Sequence, residues 1–596
     1  MASTLIRIFL DSVEKRDKPA LFMRKSAAGW ESIPSRKARA DVEHLAHGLA
    51  ALGVARGDRV ALISENRYEW VLSDLAILSL GAVTVPIYPT LTAQQCRYIL
   101  QNSEAKLAIV STFAQFDKIA TGEQGLATPL VVMDPAPPPG TRGQAFSELL
   151  ADGATRAAAS PRAFREWVEQ VQPEAMATII YTSGTTGEPK GAVLSHNNIA
   201  SNVAACLKVV QVGSNDRCLS FLPLCHIFER MAGLYVMFQA GATIAFAESI
   251  LTVAPDAVEV RPTILTGVPR FYEKVHARVM ANGLAQPWIQ KRIFVWGLGV
   301  GAAAARLRFE GRQPSGLFAF QARIADKLVG AKVRARVGGR VRFCISGGAP
   351  LGPKIMEFFF AVGIPVIEGY GLTETSPVIC LNIPGRERPG SVGPPVPGVE
   401  VRIGDQGEIL TRGPHVMLGY FRNEEATRIA LEGGWFHTGD VGHLDPDGFL
   451  HITDRLKDLL VTAGGKKVAP QPLESRLKTS PWISEAVMLG DQKPYCVALL
   501  IPDFLHLEAE AKARGWPQES RAALLRHPEV RDLYQAELDK LNADLAGFET
   551  IKKFELLDRD LSPEAGELTP TLKVRRRVIM QRFADLIESM YRSPGA

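Results

Sequence analysis

The sequence predicts an α/β protein of at least two domains, and three observations support this. At 596 residues the chain is too long for a single hydrophobic core. Strand and helix patterns alternate along its first part, which implies parallel sheets flanked by helices. The pattern changes after residues 454–458. We expect a large N-terminal domain over residues 1–455 and a small α+β C-terminal domain over residues 456–596.

The first elements follow a strand–helix alternation. Residues 59–64 (RVALIS) predict a buried strand and residues 68–82 a helix. Residues 83–88 (VTVPIY) and 106–111 (KLAIVS) predict two further strands. The prolines and small residues of 134–164 predict surface connections instead of packed elements.

A second set of elements lies in the middle of the chain. Residues 340–350 (RVRFCISGGAP) predict a strand that runs into a glycine turn. A helix over 351–363 and a strand over 364–371 follow. The Pro- and Gly-rich segment 383–398 then introduces short alternating stretches. These stretches predict a β-rich subdomain over about 384–455.

The last part of the chain predicts the small domain. Residues 486–491 and 495–502 are typical of strands, and residues 529–547 form a charged amphipathic helix pattern. The size of about 140 residues suits one compact domain.

Composition excludes several classes of protein. The net charge is only +5, with 22% charged residues, so a dedicated nucleic-acid-binding protein is not indicated. The seven cysteines have irregular spacing and form no C-x-x-C pair, so neither a disulfide framework nor a zinc site is predicted. The first residues lack the pattern of a signal peptide. We expect a cytoplasmic protein.

The longest apolar run, residues 293–305, has two interpretations. It is too short to span a bilayer in a helix. The favoured interpretation is a helix packed in a core. The alternative is a segment that lies at a membrane surface near a lipid substrate, because Lys291, Arg292 and Arg306 flank the run.

Residues 181–191 (YTSGTTGEPKG) predict a phosphate-binding loop. Glycines, hydroxyls and Lys190 can direct several donors and one positive charge at an anion. The loop is not a Walker A loop, since Gly184 and Gly187 are three residues apart and Gly191 stands where Ser or Thr is required. Both flanks read as strands, and Ser195 is a candidate cap for the following helix. A polar hairpin without a ligand is the alternative.

Seven motifs in order carry a family resemblance: YTSGTTGEPKG, PLCHIFER (223–230), SGGAPL (346–351), EGYGLTETS (368–376), HTGD (437–440), DRLKD (454–458) and LTPTLKVRR (568–576). Together they resemble the adenylate-forming superfamily of acyl-CoA synthetases, firefly luciferase and peptide-synthetase adenylation domains. Four features, PLCHIFER, the segment of about 270–340, EGYGLTETSPV and LTPTLKVRR, are most similar to the long-chain fatty acyl-CoA synthetases.

The resemblance implies a ligase reaction. A long-chain fatty acid attacks the α-phosphate of ATP to give acyl-adenylate and pyrophosphate, and CoA then displaces AMP. Alternatives are an acyl-AMP ligase that serves a carrier protein, a CoA ligase for medium-chain or aryl acids, and a non-catalytic lipid- or nucleotide-binding scaffold. Fatty acid, ATP, CoA and Mg²⁺ are the implied ligands. A homodimer and a peripheral contact with the inner face of a membrane are left open.

The resemblance also implies residue roles around ATP. The residues implied for the β- and γ-phosphates are Thr182, Ser183, Gly184, Thr185, Thr186, Gly187 and Lys190. Glu374 with Thr182 is implied for Mg²⁺. The residues implied for adenine and ribose are Gly348, Ala349, Pro350, Glu368, Gly369, Tyr370, Gly371, Thr373, Asp440 and Arg455.

The catalytic set implied by the resemblance comprises Lys573, Lys190, His226 and Glu374. Lys573 bridges the acyl carboxylate and the α-phosphate from a mobile C-terminal domain, with Lys457 at its hinge. The alternative for Lys573 and its neighbours Arg575–Arg577 is a solvated basic face. Val461 departs from the family, many of whose members carry lysine there.

Overall fold

The computed structural model describes residues 3–120, 129–133, 143–182, 188–456, 458–562, 565–569 and 574–592. The chain divides into two compact units. The first unit comprises Met1–Arg402, Leu410–Thr438 and Asp445–Leu450. The second unit comprises Ile403–Ile409, Gly439–Leu444 and His451–Ala596. None of the helices in the described ranges combines the length and apolar composition needed to cross a bilayer.

The first sheet of the first unit has eight strands, and its six central strands are parallel. The edge strands pair antiparallel with their neighbours. Their spatial order is Val378–Leu381, Val366–Gly371, Phe343–Ser346, Ile264–Gly267, Arg217–Ser220, Thr243–Phe246, Phe22–Ser26 and Gly29–Ile33. The strands predicted at 340–350 and 364–371 are therefore confirmed.

The second sheet of the first unit also has eight strands, six of them parallel. The two remaining strands continue one edge with antiparallel pairing. Their spatial order is Gly419–Tyr420, Lys190–Ser195, Met176–Thr182, Val83–Ile87, Arg59–Ile63, Ala105–Val110, Leu130–Val132 and Gly143–Ala145. The predicted strands on both sides of the glycine-rich loop are confirmed as a hairpin.

The first unit also contains helices, many of which pack apolar side chains against these sheets. They are Leu5–Lys15, Ser35–Ala51, Tyr68–Ser79, Ala93–Asn102, Phe113–Ala120, Phe146–Ala159, Ala163–Gln170, His196–Val209, Val236–Ala240, Val253–Val260, Pro269–Leu284, Trp288–Phe309, Gly316–Ala325, Ala331–Ala335, Pro353–Ala361 and Glu424–Ala430, with π-helical Glu229–Tyr235 and Asp326–Gly330 and 3₁₀ turns Thr373–Thr375 and Glu432–Gly434. Ser195 caps its helix as predicted, because its hydroxyl accepts from the Asn198 N–H.

Residues 400–455 contribute a four-stranded sheet, with the order Glu400–Ile403, Glu408–Arg412, Phe436–Leu444 and Leu450–Arg455. The second unit has its own core of buried apolar side chains. Its further strands are Leu460–Val461, Lys467–Val468, Ile483–Leu489, Cys496–Pro502 and Ile551–Leu556, and its helices are Pro470–Leu477, Phe504–Arg514, Arg521–Leu525, Pro528–Asn542, Arg576–Arg582 and Ala584–Tyr591, with a 3₁₀ turn at Asp405–Gly407.

Two sequence predictions about local structure are wrong. Residues 154–159 were expected in a surface connection but end the helix Phe146–Ala159, which packs against Ser35–Ala51. Alanine-rich sequence favours this helix, and Gly153 allows the close approach, since a Cβ there would lie 1.8 Å from the His44 carbonyl oxygen. The run 293–305 is helical, but only Gly297 and Ala305 of its helix are buried, so it is not a core helix.

A buried ion pair connects the π-helix Glu229–Tyr235 with the helix Tyr68–Ser79 and, through hydrogen bonds, with the second sheet. Arg230 and Asp74 are both fully buried, and Arg230 Nε donates to Asp74 Oδ2 at 3.1 Å. Arg230 Nη1 also donates to Thr178 Oγ1 at 2.8 Å on the strand that leads to the glycine-rich loop. Asp74 further accepts from the hydroxyls of Thr84 and Tyr235. Complete hydrogen bonding of this kind is what allows a charge pair to be buried.

Replacement of the buried cation should destabilise the first unit. Arg230→Met leaves Asp74 buried without its cation, so we expect the free energy of unfolding to fall by about 3–5 kcal/mol. Urea unfolding followed by tryptophan fluorescence measures this loss. In the control, Arg156→Met breaks an exposed pair with Asp152 and should cost less than about 1 kcal/mol. Equal losses for the two variants would contradict the role given to Arg230.

Candidate active site

Three predicted motifs lie at one edge of the first sheet. PLCHIFER follows strand Arg217–Ser220, SGGAPL follows Phe343–Ser346, and EGYG ends Val366–Gly371. These strands run parallel in the same sheet, so their carboxyl ends meet at the same edge. Ligands of open α/β sheets bind in the crevice outside this edge.

The residues predicted for adenine are connected through Glu368. Its Oε1 accepts from the Leu351 N–H at 2.8 Å, which ties EGYG to SGGAPL. Burial raises the pKa of this carboxyl to about 8, although the hydrogen bond from Leu351 acts in the opposite direction. Its Oε2 is buried without a hydrogen-bond partner among the described residues. A buried acceptor without a partner is available to a donor of a ligand.

The turn beside Glu368 is open to solvent and built for close approach. Gly348, Ala349 and Pro350 are exposed, and Gly348 adopts a φ of +85° that favours glycine. Gly369, Tyr370, Gly371 and Thr373 are half-buried. Because these residues are accessible at the crevice edge, they can contact a flat ligand such as a base.

The phosphate side of the site lies at the open end of the hairpin in the second sheet. Thr182 ends one strand and Lys190 begins the next, and the two residues are direct cross-strand partners. The predicted residues Ser183, Gly184, Thr185, Thr186 and Gly187 lie outside the described residues. Lys190 is exposed, and its Nζ lies 5.2 Å from the centre of the Tyr420 ring.

Tyr420 is a site residue that the sequence motifs did not indicate. Its hydroxyl donates to Glu374 Oε1 at 2.9 Å, while its ring faces Lys190. Burial, followed by the Glu374 charge, raises the pKa of Tyr420, so the phenol keeps its proton. The backbone adds a second link, since the Met417 N–H donates to the Glu374 carbonyl at 2.8 Å. Tyr420 therefore brings the predicted phosphate and metal residues together.

His226 has a defined orientation in the PLCHIFER turn. Its Nδ1 accepts from the Phe228 N–H at 3.1 Å, so the neutral ring carries its proton on Nε2. Asn66 holds the turn by accepting from the Leu224 N–H at 2.8 Å and donating to the Leu222 carbonyl at 2.6 Å. The Phe228 ring packs close to Gly347, where a Cβ would lie 3.1 Å from it. The histidine motif and the predicted adenine turn are thus neighbours.

The second unit contains the remaining described site residues. Arg455 Nε donates to Asp440 Oδ1 at 2.8 Å, and the Asp440 side chain is buried. Lys457 and Lys573 lie outside the described residues. Near Lys573, Arg576 is paired with Glu474 at 2.7 Å, so this member of the basic cluster is not part of a solvated face.

The donor set is suitable for magnesium bound with phosphate. No group of three or more His, Cys, Asp or Glu side chains in the described ranges could hold a metal by itself. Thr182 is the cross-strand partner of Lys190, and Glu374 is hydrogen-bonded to Tyr420, whose ring faces Lys190, so both offer hard oxygen donors on this side of the site. Mg²⁺ is commonly held by one or two carboxylates and by substrate phosphates, so these residues fit it.

A two-unit α/β fold with such a crevice is typical of a nucleotide-dependent enzyme. The family described as "AMP-binding enzyme" matches residues 11–421, and its C-terminal domain matches residues 457–594. The chain therefore belongs to the AMP-binding enzyme family.

Named relatives cover nearly the whole chain. "Long-chain-fatty-acid--CoA ligase FadD15" of Mycobacterium bovis is 38% identical over 97% of this chain and 95% of its own. "Long chain acyl-CoA synthetase 7, peroxisomal" of Arabidopsis thaliana is 33% identical over 93% of this chain and 81% of its own. The crystal structure of the anthranilate CoA ligase AuaEII with anthranoyl-AMP shares the fold, with a TM-score of 0.73 and 21% identity over 99% of this chain and 98% of its own.

The buried Glu368 carboxyl should make stability depend on pH. Its folded pKa is about 8 against an ordinary 4.5, so the stabilising contribution is complete below 4.5 and is lost as the pH rises to about 8. Glu368→Gln cannot ionise and keeps an oxygen acceptor for Leu351. We expect the melting temperature of Glu368→Gln to rise relative to wild type between about pH 5 and about pH 8, without nucleotide.

Thermal unfolding across this pH range tests the expectation. Glu432→Gln removes an exposed carboxyl and controls for the change in net charge. If the difference in melting temperature between Glu368→Gln and wild type does not change with pH, a raised pKa of Glu368 is excluded.

Proposed function

We propose that the chain activates a long-chain fatty acid with ATP and transfers the acyl group to CoA, with release of pyrophosphate and AMP. The observation that carries this proposal is the Lys190–Tyr420–Glu374 contact chain beside the glycine-rich hairpin. Membership of the AMP-binding enzyme family supports adenylate chemistry. The names of the relatives from Mycobacterium bovis and Arabidopsis support a long-chain acyl substrate.

In the first half-reaction, a carboxylate oxygen bonds to the α-phosphorus and the bond to pyrophosphate breaks. Both reactants are anions, so charge neutralisation and alignment are the main requirements. We assign Lys190, Thr182 and residues 183–187 to the β- and γ-phosphates. Lys573 is assigned to the acyl carboxylate and the α-phosphate.

In the second half-reaction, the CoA thiol loses its proton to solvent, its sulfur bonds to the acyl carbon, and AMP leaves with both electrons of the broken bond. Adenine is assigned to the turn 348–350 and to residues 368–371 with Thr373. The ribose is assigned to Asp440 and Arg455. His226 is assigned to a position near the acyl carboxylate. Lys457 is assigned to the hinge between a domain over residues 1–455 and a mobile domain over residues 456–596.

Mg²⁺ is proposed to bind Glu374 and Thr182 together with phosphate oxygens. When bound, it would neutralise phosphate charge. Tyr420 orients the Glu374 carboxylate by donating one hydrogen bond to it.

The lipid substrate also suggests where the protein acts. We propose a peripheral contact with the inner face of a membrane, on the basis of the exposed apolar helices of the first unit. The homodimer left open by the family resemblance stays a prediction that light scattering tests.

Substrate screening tests the proposed reaction. Pyrophosphate release and thioester formation are measured from acetate to oleate and with several aryl acids, with and without CoA. We expect dodecanoate to oleate to give the highest rates, and thioester to form only with CoA. Accumulated adenylate that CoA does not consume would indicate a carrier-protein acceptor, and a preference for short or aryl acids would exclude the long-chain assignment.

Lys573→Ala tests the role assigned to Lys573 in the same assay. It should abolish adenylate formation from fatty acid and largely spare thioester formation from supplied acyl-AMP. Equal loss in both half-reactions would remove the proposed role of Lys573.

Tyr420→Phe should weaken the first half-reaction. The variant keeps the ring beside Lys190 but loses the hydroxyl that orients Glu374, so we expect kcat/KM for ATP to fall about 10–100-fold. The Mg²⁺ concentration for half-maximal rate should rise in the same assay. Tyr495→Phe, which loses a hydrogen bond to the Met590 carbonyl, is the control and should leave both values unchanged. An unchanged Mg²⁺ dependence in Tyr420→Phe would contradict this role.

A further inference from the structure

The helix Trp288–Phe309 packs through a face of small residues. Gly297, Gly301 and Ala305 recur every four residues and so share one face. A Cβ on Gly297 would lie 2.5 Å from Val329 Cγ2, and a Cβ on Gly301 would lie 2.4 Å from the Ala361 carbonyl oxygen. The first unit therefore holds this helix closely on that side.

The opposite face of the same helix is apolar but faces solvent. Trp288 and Trp296 project from it, and Trp288 is 68% exposed; Ile289 and Ile293 are also exposed on this helix. In a folded chain, large apolar side chains normally occupy the packed face of a helix. This helix has the reverse arrangement.

The next helix, Gly316–Ala325, also exposes large apolar side chains. Leu317, Phe320 and Ile324 lie one turn apart on one face, and Leu328 extends the same stripe. Leu317 is 74% exposed and Phe320 is 62% exposed. The two helices pack against each other, so both belong to one body.

These side chains form a concentration of exposed apolar surface. We name it the insert face, and it comprises Leu284, Trp288, Ile289, Ile293, Val295, Trp296, Leu317, Phe320, Ile324 and Leu328. The ten residues are half of the twenty large hydrophobic side chains exposed in the described part of the chain. Apolar side chains in such a concentration mark an interaction site.

Positive charge is concentrated in the same segment. Residues 271–340 contain thirteen Lys and Arg against three Asp and Glu, a net charge of +10. Because the whole chain carries +5, the rest of the chain is net negative. Lys291, Arg292, Arg323 and Lys327 are exposed. Basic side chains beside apolar ones fit a surface that presents both negative charge and hydrocarbon.

We infer that the insert face docks on an anionic lipid bilayer, with Trp288 and Trp296 at the headgroup boundary. The inference rests on the proposed function, because a fatty-acid substrate partitions into bilayers. Tryptophan prefers this boundary, and flanking Lys and Arg side chains attract anionic headgroups. A second copy of the chain is a poorer occupant, since two faces of this positive charge repel each other.

Binding of the full chain to vesicles tests the inference. Flotation is measured with phosphatidylcholine vesicles that contain phosphatidylglycerol and with phosphatidylcholine vesicles alone. We expect tight binding only to the anionic vesicles, with a partition coefficient that falls as salt is raised. Trp288→Ser with Trp296→Ser should lower the coefficient by about tenfold or more. The double variant Lys291→Glu with Arg292→Glu should also lower the partition coefficient by about tenfold or more at low salt.

Each variant has a matched control elsewhere on the chain. Leu251→Ser with Leu505→Ser removes apolar side chains that are 89% and 81% exposed, and should leave binding unchanged. Arg428→Glu with Lys512→Glu makes the same charge change on other exposed helices. Wild-type protein that does not bind anionic vesicles, or controls that weaken binding as much as the insert-face variants, would overturn the inference.

Two further measurements separate this inference from the proposed function. Thioester formation from fatty acid in solution, without vesicles, should be equal in wild type and all four double variants. If wild type forms no thioester yet binds vesicles, the proposed function fails and the docking surface stands. A dimer in light scattering that Trp288→Ser with Trp296→Ser dissociates would assign the face to a second copy instead.

Discussion

The ion pair between Arg230 and Asp74 is the constraint on which the candidate active site depends. Arg230 belongs to the PLCHIFER motif, beyond a strand of the first sheet, whereas Thr178 lies on the second-sheet strand that ends at Thr182. Thr178 in turn donates its hydroxyl to the Thr84 carbonyl at 2.7 Å. One fully buried network thus fixes the histidine motif relative to the strand that leads to the glycine-rich loop. A charge pair without solvent must keep its geometry, and this rigidity suits a site that aligns two anions.

The buried carboxylates behind the crevice show what happens when a buried acidic group has no cation beside it. Glu229 is fully buried and accepts from the Thr266 hydroxyl at 2.6 Å, but no cation in the described part of the chain pairs with it, and burial raises its pKa to about 7. Glu368 is also buried, and burial raises its pKa to about 8. Glu374 instead accepts a hydrogen bond from Tyr420, whose ring faces Lys190, so it is the carboxylate that is placed to serve as a metal ligand beside phosphate. The environment of each group, and not its residue type, separates the structural acids from the candidate ligand.

Local signals predicted much of the fold and the elements that carry the candidate site motifs. The hairpin around 183–187, the Ser195 cap and the strands before SGGAPL and EGYG follow from patterns within about ten residues. Tyr420 could not be found in this way, because strand Gly419–Tyr420 pairs with a strand more than two hundred residues earlier in the chain. The orphan oxygen of Glu368 is equally a product of tertiary packing. Local patterns cannot indicate contacts that only the sheets create.

The helix Trp288–Phe309 shows why the apolar run 293–305 was wrongly predicted to be a core helix. An apolar run is consistent with burial, yet burial of a helix requires its large side chains on the packed face. Here glycine and alanine occupy that face, and close approach through Gly297 and Gly301 leaves the tryptophans outside. The glycine spacing was visible in the sequence, and the position of the basic residues was visible with it. Together, the glycine spacing and the basic residues indicate a helix that packs through its small residues and leaves its large apolar side chains available to bind a separate apolar surface.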